Sequence, residues 1–504
     1  MHRKKHENLS VGIKALYALG QVAQSGACDS AMVFVFFYYT SVLGLSGLLV
    51  GGALGIAFCF DALIDPLVGF WSDNITSRWG RRIPLMVVAT PLVFFTVGLL
   101  FSPPNFHSRD FLFFWLVVTS VAARGAVSLF NVPYVALGAE LSDGYLERSS
   151  IVAFRTIVGI LISVLIVALA YSVFFSGKGG LQRPEGYPYF GWTAAGLVFG
   201  GMVACLFGIA GHAAALPQAR FAGSSLTTRF FDEVREIFRN SSFRSLFFAS
   251  VVIYAAVGLN VTLNNHVDVF VWGLRPEAIQ FLTYGFFVGM FIGVPMAPAL
   301  GRIMEKRTML LTGIVLLVVA WLVVPLLRIF GIYVAKGIST LPALLVSVIV
   351  SGFGSALCTI AFPSMMADAA DEHELHSGQR REGLYFSGLS FAAKAASGLG
   401  VVAAGIAVSL SGIQHVSSGG NLDTATNAMI IRLVAACGPA AAALCALSLL
   451  ILMPYGINRK RHDTMIVQLR EKRAASAHEM SEHSRAKVAE AVCCGKNTSQ
   501  EAQA

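Results

Sequence analysis

The sequence predicts an all-α membrane protein with twelve transmembrane helices in two six-helix halves. Three observations predict this class. Of the 504 residues, 56% are hydrophobic and only 13% are charged, whereas about 25% are charged in soluble domains. Apolar runs of about 20 residues, the length needed to cross a bilayer as a helix, recur along most of the chain. A long polar stretch at 217–242 divides the chain near its middle.

Each predicted span is an apolar run between polar or turn-forming segments. The first run follows a basic leader, but it is long and no small-residue cleavage site ends it. We therefore expect a retained helix and not a cleaved signal peptide. The predicted spans are 11–42, 46–72, 83–103, 110–139, 150–176, 190–216, 243–272, 278–301, 308–329, 339–369, 383–411 and 427–454.

The distribution of Lys and Arg predicts the orientation, because short cytoplasmic loops carry an excess of both. The N-terminal leader, the even-numbered loops and the central polar stretch hold most of those that lie between spans. We therefore expect both termini in the cytoplasm of a multi-pass protein, in the inner (plasma) membrane of a bacterium. The net charge of +9 then needs no nucleic-acid partner. The expected partners are the lipid bilayer and a small-molecule solute, and we expect a monomer.

A weak internal repeat supports the two halves. The segment GFWSDNITSRWGRRIPLMV after the second span has a counterpart, APALGRIMEKRTMLL, after the eighth. Parallel six-span repeats with a cytoplasmic linker are the architecture of major facilitator transporters. The predicted domains are an N-terminal bundle at 1–216, a linker at 217–242, a C-terminal bundle at 243–454 and a disordered or loosely helical tail at 455–504.

Within the linker, residues 226–240 place apolar side chains at helical spacing between charges. This pattern predicts an amphipathic helix on the cytoplasmic membrane surface.

Two acids inside the second span form the strongest candidate site, because an intramembrane charge costs at least about 2.5–3.5 kcal/mol. Asp61 and Asp65 lie four residues apart in DALIDP and share one helix face. Two carboxylates so near each other are tolerated when a cation lies between them or when one of them is protonated. Either state can couple ion movement to the movement of a solute. The alternative is that basic side chains pair with both for packing alone. Lys394, in the eleventh span, is the expected partner from the other half.

Further polar residues inside the spans remain open to two interpretations. Arg155 needs an acidic partner or an anionic ligand. Asp29 is either a solute-site carboxylate or a structural partner of Arg124 or Arg155. His266 and Asp268 lie near the outer end of the seventh span.

The segment GFWSDNITSRWGRR follows the second span directly. We expect Asp73 to pair with an arginine across this short loop and to hold spans two and three against the other half. The predicted conformational latch consists of Asp73, Arg78, Arg81 and Arg82. The alternative is that these arginines set the topology alone.

Three ordered segments resemble the glycoside–pentoside–hexuronide:cation symporter family, which is melibiose permease-like. They are DALIDPLVGFWSDNITSRWGRR, FNVPYVALGAEL at 130–141 and DAADEHELHSGQRREGLYFSGLSFAAK at 368–394. The resemblance covers residues 9–454 and implies cation-coupled symport of a sugar, glycoside or uronide by the major facilitator fold. It also implies that Asp61 and Asp65 are the cation-site acids, with Lys394 nearby, and that Arg155 lies beside the sugar pocket.

Four positions depart from the pattern of this family. Ser25 and Asn131 stand where it has aspartates, Val135 where a tryptophan stacks on the sugar, and Arg124 where the cation site has a glycine. Asp29, one helical turn after Ser25, is a candidate replacement for the missing carboxylate of the first span.

These departures bear on the coupling ion, which is H⁺ or Na⁺; no cofactor or other metal is expected. Sodium would lie at Asp61 and Asp65, with the Ser128 hydroxyl completing its shell. We expect H⁺, because a guanidinium at Arg124 would compete with Na⁺ for the carboxylates.

Two other functions remain open. The chain has 37 phenylalanines, and mammalian lysophospholipid carriers resemble the same family, so an amphipathic lipid-like solute is the first alternative. A membrane sensor without transport is the second. An enzyme is not expected, because the sequence has no P-loop, HExxH or GxSxG motif.

Overall fold

The computed structural model describes residues 10–75, 77–104, 108–141, 145–177, 179–214, 235–377, 382–413 and 426–472. Eleven helices in these ranges are long and apolar enough to cross a membrane. They confirm the predicted class, an all-helical membrane protein.

The first predicted span, α1, is helical throughout but changes its winding four times, so it is not among those eleven. Its π-helical middle segment reads AQSGACDSA, and such small and polar residues are weak helix formers apart from alanine. Local π-helix is common at functional sites, and this segment carries two candidate residues, Ser25 and Asp29. The segments of α1 are Val11–Ala18, Leu19–Gln21, Ala23–Ala31, Val33–Phe37 and Tyr38–Val42.

Several later helices begin at residues suited to that position. Ser46 and Asn240 cap the second and seventh helices with their side chains, and Pro276 opens the eighth. These helices are α2 Gly47–Asn74, α3 Ile83–Leu100, α4 Arg109–Glu140, α5 Tyr145–Leu169 with Ala170–Phe174, α6 Gly186–Ala214, α7 Ser241–His266 with Val267–Val271, α8 Pro276–Ile303, α9 Lys306–Ile329, α10 Leu341–Ser377, α11 Glu382–Ser411 and α12 Asn427–Ala435, Ala436–Ala440 and Ala441–Ile451.

The helices pack mainly within two sets, α1–α6 and α7–α12. In the first set α4 packs against α2 and α3, and in the second α10 packs against α8 and α9 in the same relation. The main contact between the sets is that of α2 with α11. We call the end of the bundle that holds the α1–α2 and α7–α8 connections the distal face, and the opposite end the proximal face.

Glycines line the crossing of α2 and α11. A methyl group at Gly405 would collide with the carbonyl oxygen of Gly47, and one at Gly51 would lie 3.0 Å from the Gly405 Cα. Only glycine lets the two backbones approach this closely. We call these residues the glycine seam: Gly47, Gly51, Gly55, Gly398 and Gly405.

Of the two states expected for the tail, disordered or loosely helical, its first part is helical. Residues 459–472 form a helix, α13, whose start is capped by Asn458 Oδ1 accepting from the Arg461 N–H at 2.8 Å. Met465 and Leu469, one turn apart, are buried, and Arg461 pairs with Glu372 of α10 at 2.7 Å. Apolar spacing and an ion pair therefore order this segment, while residues 473–504 lie outside the described ranges.

Most of the predicted linker helix, residues 226–234, also lies outside the described ranges. Farther along the linker, the Phe238 ring packs against Phe243 and Phe247 of α7, with centroids 5.2 and 5.0 Å away.

Candidate functional site

We call the cluster formed by Asp61, Asp65, Arg124, Ser128 and Lys394 the charge centre. Its two carboxylates lie on one face of α2, as the spacing predicts. Lys394 of α11 donates from its Nζ to Asp61 Oδ1 at 2.9 Å and to Asp65 Oδ2 at 2.6 Å. Asp61 is buried, with 5% of its surface exposed. The predicted contact between Lys394 and the two acids is confirmed, and it joins the two helix sets through charge.

Helix α4 adds a second cation and a hydroxyl to the charge centre. Arg124 Nη1 lies 3.2 Å from Asp61 Oδ2, and Ser128 Oγ, one turn later, donates to Asp61 Oδ1 at 2.7 Å. The guanidinium carbon lies 3.4 Å from the centre of the Phe58 ring, a cation–π contact. Stacking and pairing together fix Arg124 towards the acids.

The charges of two acids and two bases balance in this centre, but the four carboxylate oxygens do not have the same number of hydrogen-bond partners. Asp61 accepts from Lys394 and Ser128 at Oδ1 and from Arg124 at Oδ2. Asp65 accepts from Lys394 at Oδ2, while its Oδ1 is buried without a hydrogen-bond partner among the described residues. The arrangement leaves Asp65 Oδ1 available to one small additional ligand.

The predicted solute residues of α1 lie in its π-helical segment. Ser25 is buried, and its Oγ accepts from Gln21 Nε2 at 3.3 Å. Asp29 is exposed although it lies in the middle of α1, and its Oδ1 accepts from Gln24 Nε2 at 2.9 Å. The described partner of Asp29 is thus an amide and not the arginine that the structural interpretation required.

Arg155 lies half-buried on α5, near enough to the Tyr17 hydroxyl of α1 for electrostatic interaction. Among the described residues Arg155 has no acidic partner, so of its two predicted partners the anionic ligand remains open. Asn131 and Val135 continue the face of α4 that carries the charge centre. Asn131 is half-buried, and Val135 is 41% exposed.

The predicted pair of Asp73 with an arginine forms, and a further acid, Glu140, joins it. Arg82 Nη2 lies 2.7 Å from Asp73 Oδ1 and 2.8 Å from Glu140 Oε1. Arg81 Nη2 lies 2.6 Å from the same Glu140 oxygen, and Arg82 Nη1 donates to Ser72 Oγ at 2.9 Å. Glu140 ends α4, in the same set as α2 and α3. Among the described residues the ion pairs of Arg81 and Arg82 therefore stay within one helix set, and the hold on the other half stays a prediction.

The fourth predicted latch residue makes a local contact. The Arg78 guanidinium lies 5.3 Å from the ring centre of its neighbour Trp79. Glu140 lies near the end of the segment FNVPYVALGAEL, but no sequence pattern links it to the basic loop. Its pairing was missed because several acids were within reach of a short basic loop.

A second polar site joins the two sets at the distal face. Thr40 Oγ1 of α1 and His266 Nε2 of α7 are 2.8 Å apart. Tyr171, in the π-helical end of α5, donates from its hydroxyl to Asn265 Oδ1 at 2.9 Å. The sequence singled out His266 but missed its partners, because single hydroxyls in apolar spans are unremarkable. We call these four residues the distal gate: Thr40, Tyr171, Asn265 and His266.

Comparison with known proteins identifies the family. A family model described as MFS/sugar transport protein matches residues 16–459. The chain belongs to this family. The match confirms the resemblance to cation symporters and the major facilitator fold, and it indicates a transporter rather than an enzyme.

Two bacterial relatives of this transporter match along most of their length. The inner membrane symporter YicJ of Escherichia coli strain K12 is 25% identical over 434 residues, which cover 85% of this chain and 88% of that protein. The isoprimeverose transporter of Lactiplantibacillus pentosus is 24% identical over 398 residues, covering 79% of each.

A third relative and a solved structure match in other ways. The sodium-dependent lysophosphatidylcholine symporter 1 of Mus musculus is 31% identical over 170 residues, covering 33% of this chain and 32% of that protein. A bacterial homologue of the iron transporter ferroportin, solved in an inward-facing state, has a TM-score of 0.59 at 15% identity. The match covers 89% of this chain and 99% of that one, and it shows the fold alone.

Proposed function

We propose that this transporter is a symporter that couples inward movement of a sugar-like solute to H⁺ rather than to Na⁺. The solute class, a sugar, glycoside or uronide, is supported by family membership and by the isoprimeverose relative. The observation that carries the choice of ion is the occupancy of the carboxylate oxygens in the charge centre.

Sodium is a poor match to these oxygens. Lys394 and Arg124 donate to three of the four carboxylate oxygens of Asp61 and Asp65. A Na⁺ bound between the acids would have to displace these fixed cations or lie beside them. Two like charges 4 Å apart repel by about 4 kcal/mol at an effective dielectric of 20. The residues present therefore do not fit a sodium shell.

A proton needs only one oxygen. Asp65 Oδ1 has no partner among the described residues, so it is the acceptor that requires no rearrangement. A proton there weakens the hold of Asp65 on Lys394, whereas Asp61 stays paired with Arg124. The coupling step is then a change in how α11 is bound to α2, which links proton binding to the relative movement of the two sets.

The test is uptake into proteoliposomes, with labelled isoprimeverose and a labelled glucuronide as probes. We expect an inward H⁺ gradient to drive accumulation of at least one probe, with no dependence on Na⁺ at fixed pH and membrane potential. Asp65→Asn abolishes accumulation but retains exchange of labelled for unlabelled probe. An absolute requirement of the wild type for Na⁺ would contradict the proposal.

Arg124 offers a second test of the same argument. Arg124→Gly removes the competing cation, so uptake should gain a dependence on Na⁺ or lose part of its coupling to H⁺. Arg124→Lys keeps the charge and is the matched control. Equal Na⁺ responses of the two variants would show that Arg124 does not select the ion.

A lipid-like solute is the second candidate, favoured by the partial match to the lysophosphatidylcholine symporter. The exposed side chain of Val135 agrees with an apolar solute. It lies on α4 at the position where the resemblance to cation symporters places a sugar-stacking tryptophan. Adding labelled lysophosphatidylcholine to the same vesicles separates the candidates. Its saturable uptake, without uptake of either sugar probe, would replace the first proposal.

A further inference from the structure

The distal gate contains a histidine that the charge centre does not use. His266 has no exposed surface, although it lies where the two helix sets meet. Its Nε2 is 2.8 Å from Thr40 Oγ1, while its Nδ1 is buried and has no hydrogen-bond partner among the described residues. One side of the ring thus joins the two sets, and the other side is unsatisfied.

The hydrogen bonds of Thr40 define the protonation of this ring. The Thr40 hydroxyl has a single hydrogen, and its best acceptor is the Phe36 carbonyl oxygen at 2.7 Å. With that hydrogen on the Phe36 carbonyl, Thr40 Oγ1 accepts from His266, and we assign the tautomer in which Nε2 carries the ring hydrogen and Nδ1 holds a lone pair. The closed gate contains a neutral imidazole whose free nitrogen is the place where a second proton would bind.

The surroundings of His266 oppose a charge while the gate is closed. The rings of Phe36, Phe37 and Phe270 lie with their centroids 5.4, 4.8 and 6.2 Å from that of the imidazole. A proton on Nδ1 would create a buried cation whose new N–H has no acceptor, and both features are costly. Opening the gate brings the ring into water and removes both costs.

Other titratable groups lie on the elements packed around this ring. Tyr38 and Tyr39 follow on α1, and the Tyr171 hydroxyl of α5 is already donated to Asn265. Cys437 lies on α12, near enough to Asp268 for electrostatic interaction. The charged groups are Asp268, two residues after His266, and Arg432 of α12, which donates to the Leu410 carbonyl oxygen of α11.

We propose that His266 is a proton-operated gating residue, so that its protonation opens the distal face of the transporter. The neutral ring joins α7 to α1 through Thr40, and the charged ring is stable only where water reaches Nδ1. Acid on the distal side therefore favours the distally open state, and neutral or alkaline pH favours closure. This control is separate from ion coupling at Asp65.

The size and sign of the effect follow from linkage. An imidazole in water binds a proton at a pH of about 6.5. If only the open state binds it, the ratio of open to closed molecules rises about tenfold between pH 8 and pH 5.5. Asp268 would act in the opposite sense, because a carboxyl that is less exposed in the closed gate would bind its proton more readily there. The direction of the response therefore distinguishes the two residues.

The experiment measures the opening directly with two spin labels in nanodiscs. One label replaces Glu185, in the α5–α6 connection, and the other replaces Ile338, before α10. Both side chains are well exposed, at 75% and 79%. The native cysteines are replaced by alanine, and Asp65→Asn is included to remove titration at the charge centre. We expect the population with the longer label distance to gain about tenfold relative to the shorter one on acidification from pH 8 to pH 5.5.

Two variants test the assignment. His266→Gln keeps a neutral N–H donor for Thr40, so the gate closes but the pH response disappears. Thr40→Val removes the hydrogen bond and keeps the imidazole, so the open fraction rises at pH 8 and the pH response is retained. His266→Asn serves if the glutamine variant does not fold. Three results would overturn the proposal: no shift in the His266 protein, closure on acidification, or an unchanged response without His266.

Discussion

At the proximal face, each helix set has an ion pair at the equivalent position, which we call its corner. The residues that surround the two ion pairs differ. At the first corner, Arg82 before α3 pairs with Glu140 at the end of α4. At the second, Lys306 at the start of α9 pairs with Asp368 towards the end of α10, at 2.7 and 2.8 Å. The side chain of Arg82 is only 8% exposed, whereas that of Lys306 is 42% exposed. The cation is thus buried in the first set and exposed in the second, whereas the carboxylates show the reverse, with Glu140 24% and Asp368 8% exposed.

The second corner is completed by segments from outside the twelve helices. His462 of α13 lies 3.3 Å from Asp368, and Arg461 pairs with Glu372. From the linker, Asn240 donates to the Ala369 carbonyl oxygen at 3.5 Å. The first corner gathers its described partners from α2, α3 and α4. The comparison teaches that one corner is self-contained, while the other depends on the linker and the tail.

Removing Arg82 should have the largest effect on this comparison. Arg82→Ala leaves the carboxylates of Asp73 and Glu140 near the buried hydroxyl of Ser72, with only Arg81 to balance them. Arg82 is buried, while Glu140 and Asp73 are 24% and 36% exposed, so we expect a loss below the roughly 3–5 kcal/mol of a fully buried pair. It should appear as a clear fall in the thermal unfolding temperature in detergent. Arg82→Lys keeps the charge and should lose less. A loss no greater than that of Lys306→Ala would show that the buried corner is not the stronger one.

Removing Lys306 should have a smaller effect. Its side chain is partly exposed, but the Asp368 carboxylate is only 8% exposed, so the loss of Lys306 should cost more than that of an exposed pair, which contributes about 0.2–1 kcal/mol. Asp368 keeps the nearby His462, which limits the loss. We therefore expect Lys306→Ala to cost about 1–2 kcal/mol in the same unfolding measurement. A double-mutant cycle with Asp368→Asn isolates the pair, and a coupling energy as large as that of Arg82 with Glu140 would erase the contrast.

The smallest effect on global stability is expected for Arg461→Ala. Its guanidinium is half exposed, although Glu372 is only 7% exposed, and α13 packs at the edge of the bundle, so the change should cost about 1 kcal/mol. Its consequence should be local: faster amide hydrogen exchange over residues 459–472, because α13 loses its ion pair with α10. Lys460→Ala, at the exposed neighbouring position, is the matched control. If both variants exchange at the same rate, Arg461 does not hold α13 on the bundle.

The parts of the molecule that the sequence predicted are those dominated by the membrane. Hydrophobic length determines which segments can span the bilayer, so the helices appear near their expected positions. The contact of Lys394 with Asp61 and Asp65 was predictable for a related reason, because charges inside a bilayer must find each other.

The contacts that the sequence did not predict involve a choice among equivalent partners or a change in winding. Arg82 is close in sequence to Asp73, but nothing in the chain distinguishes Glu140 from an acid in the other half. The hydroxyl of Thr40 carries no charge that would mark it as the partner of His266. The π-helical segments of α1 depend on how the neighbouring helices pack, which one chain segment does not encode by itself.

The glycine seam has a consequence for how such a protein can change in evolution. The seam and the acid–lysine contact occupy α2 and α11, whereas the residues predicted to face the solute lie on α1, α4 and α5. A substitution at Val135 alters no backbone contact of the seam, while even one methyl group at Gly405 would separate α2 from α11. Substitutions on those three helices can therefore change the residues predicted to face the solute, while the crossing of the other two has no room for an added side chain.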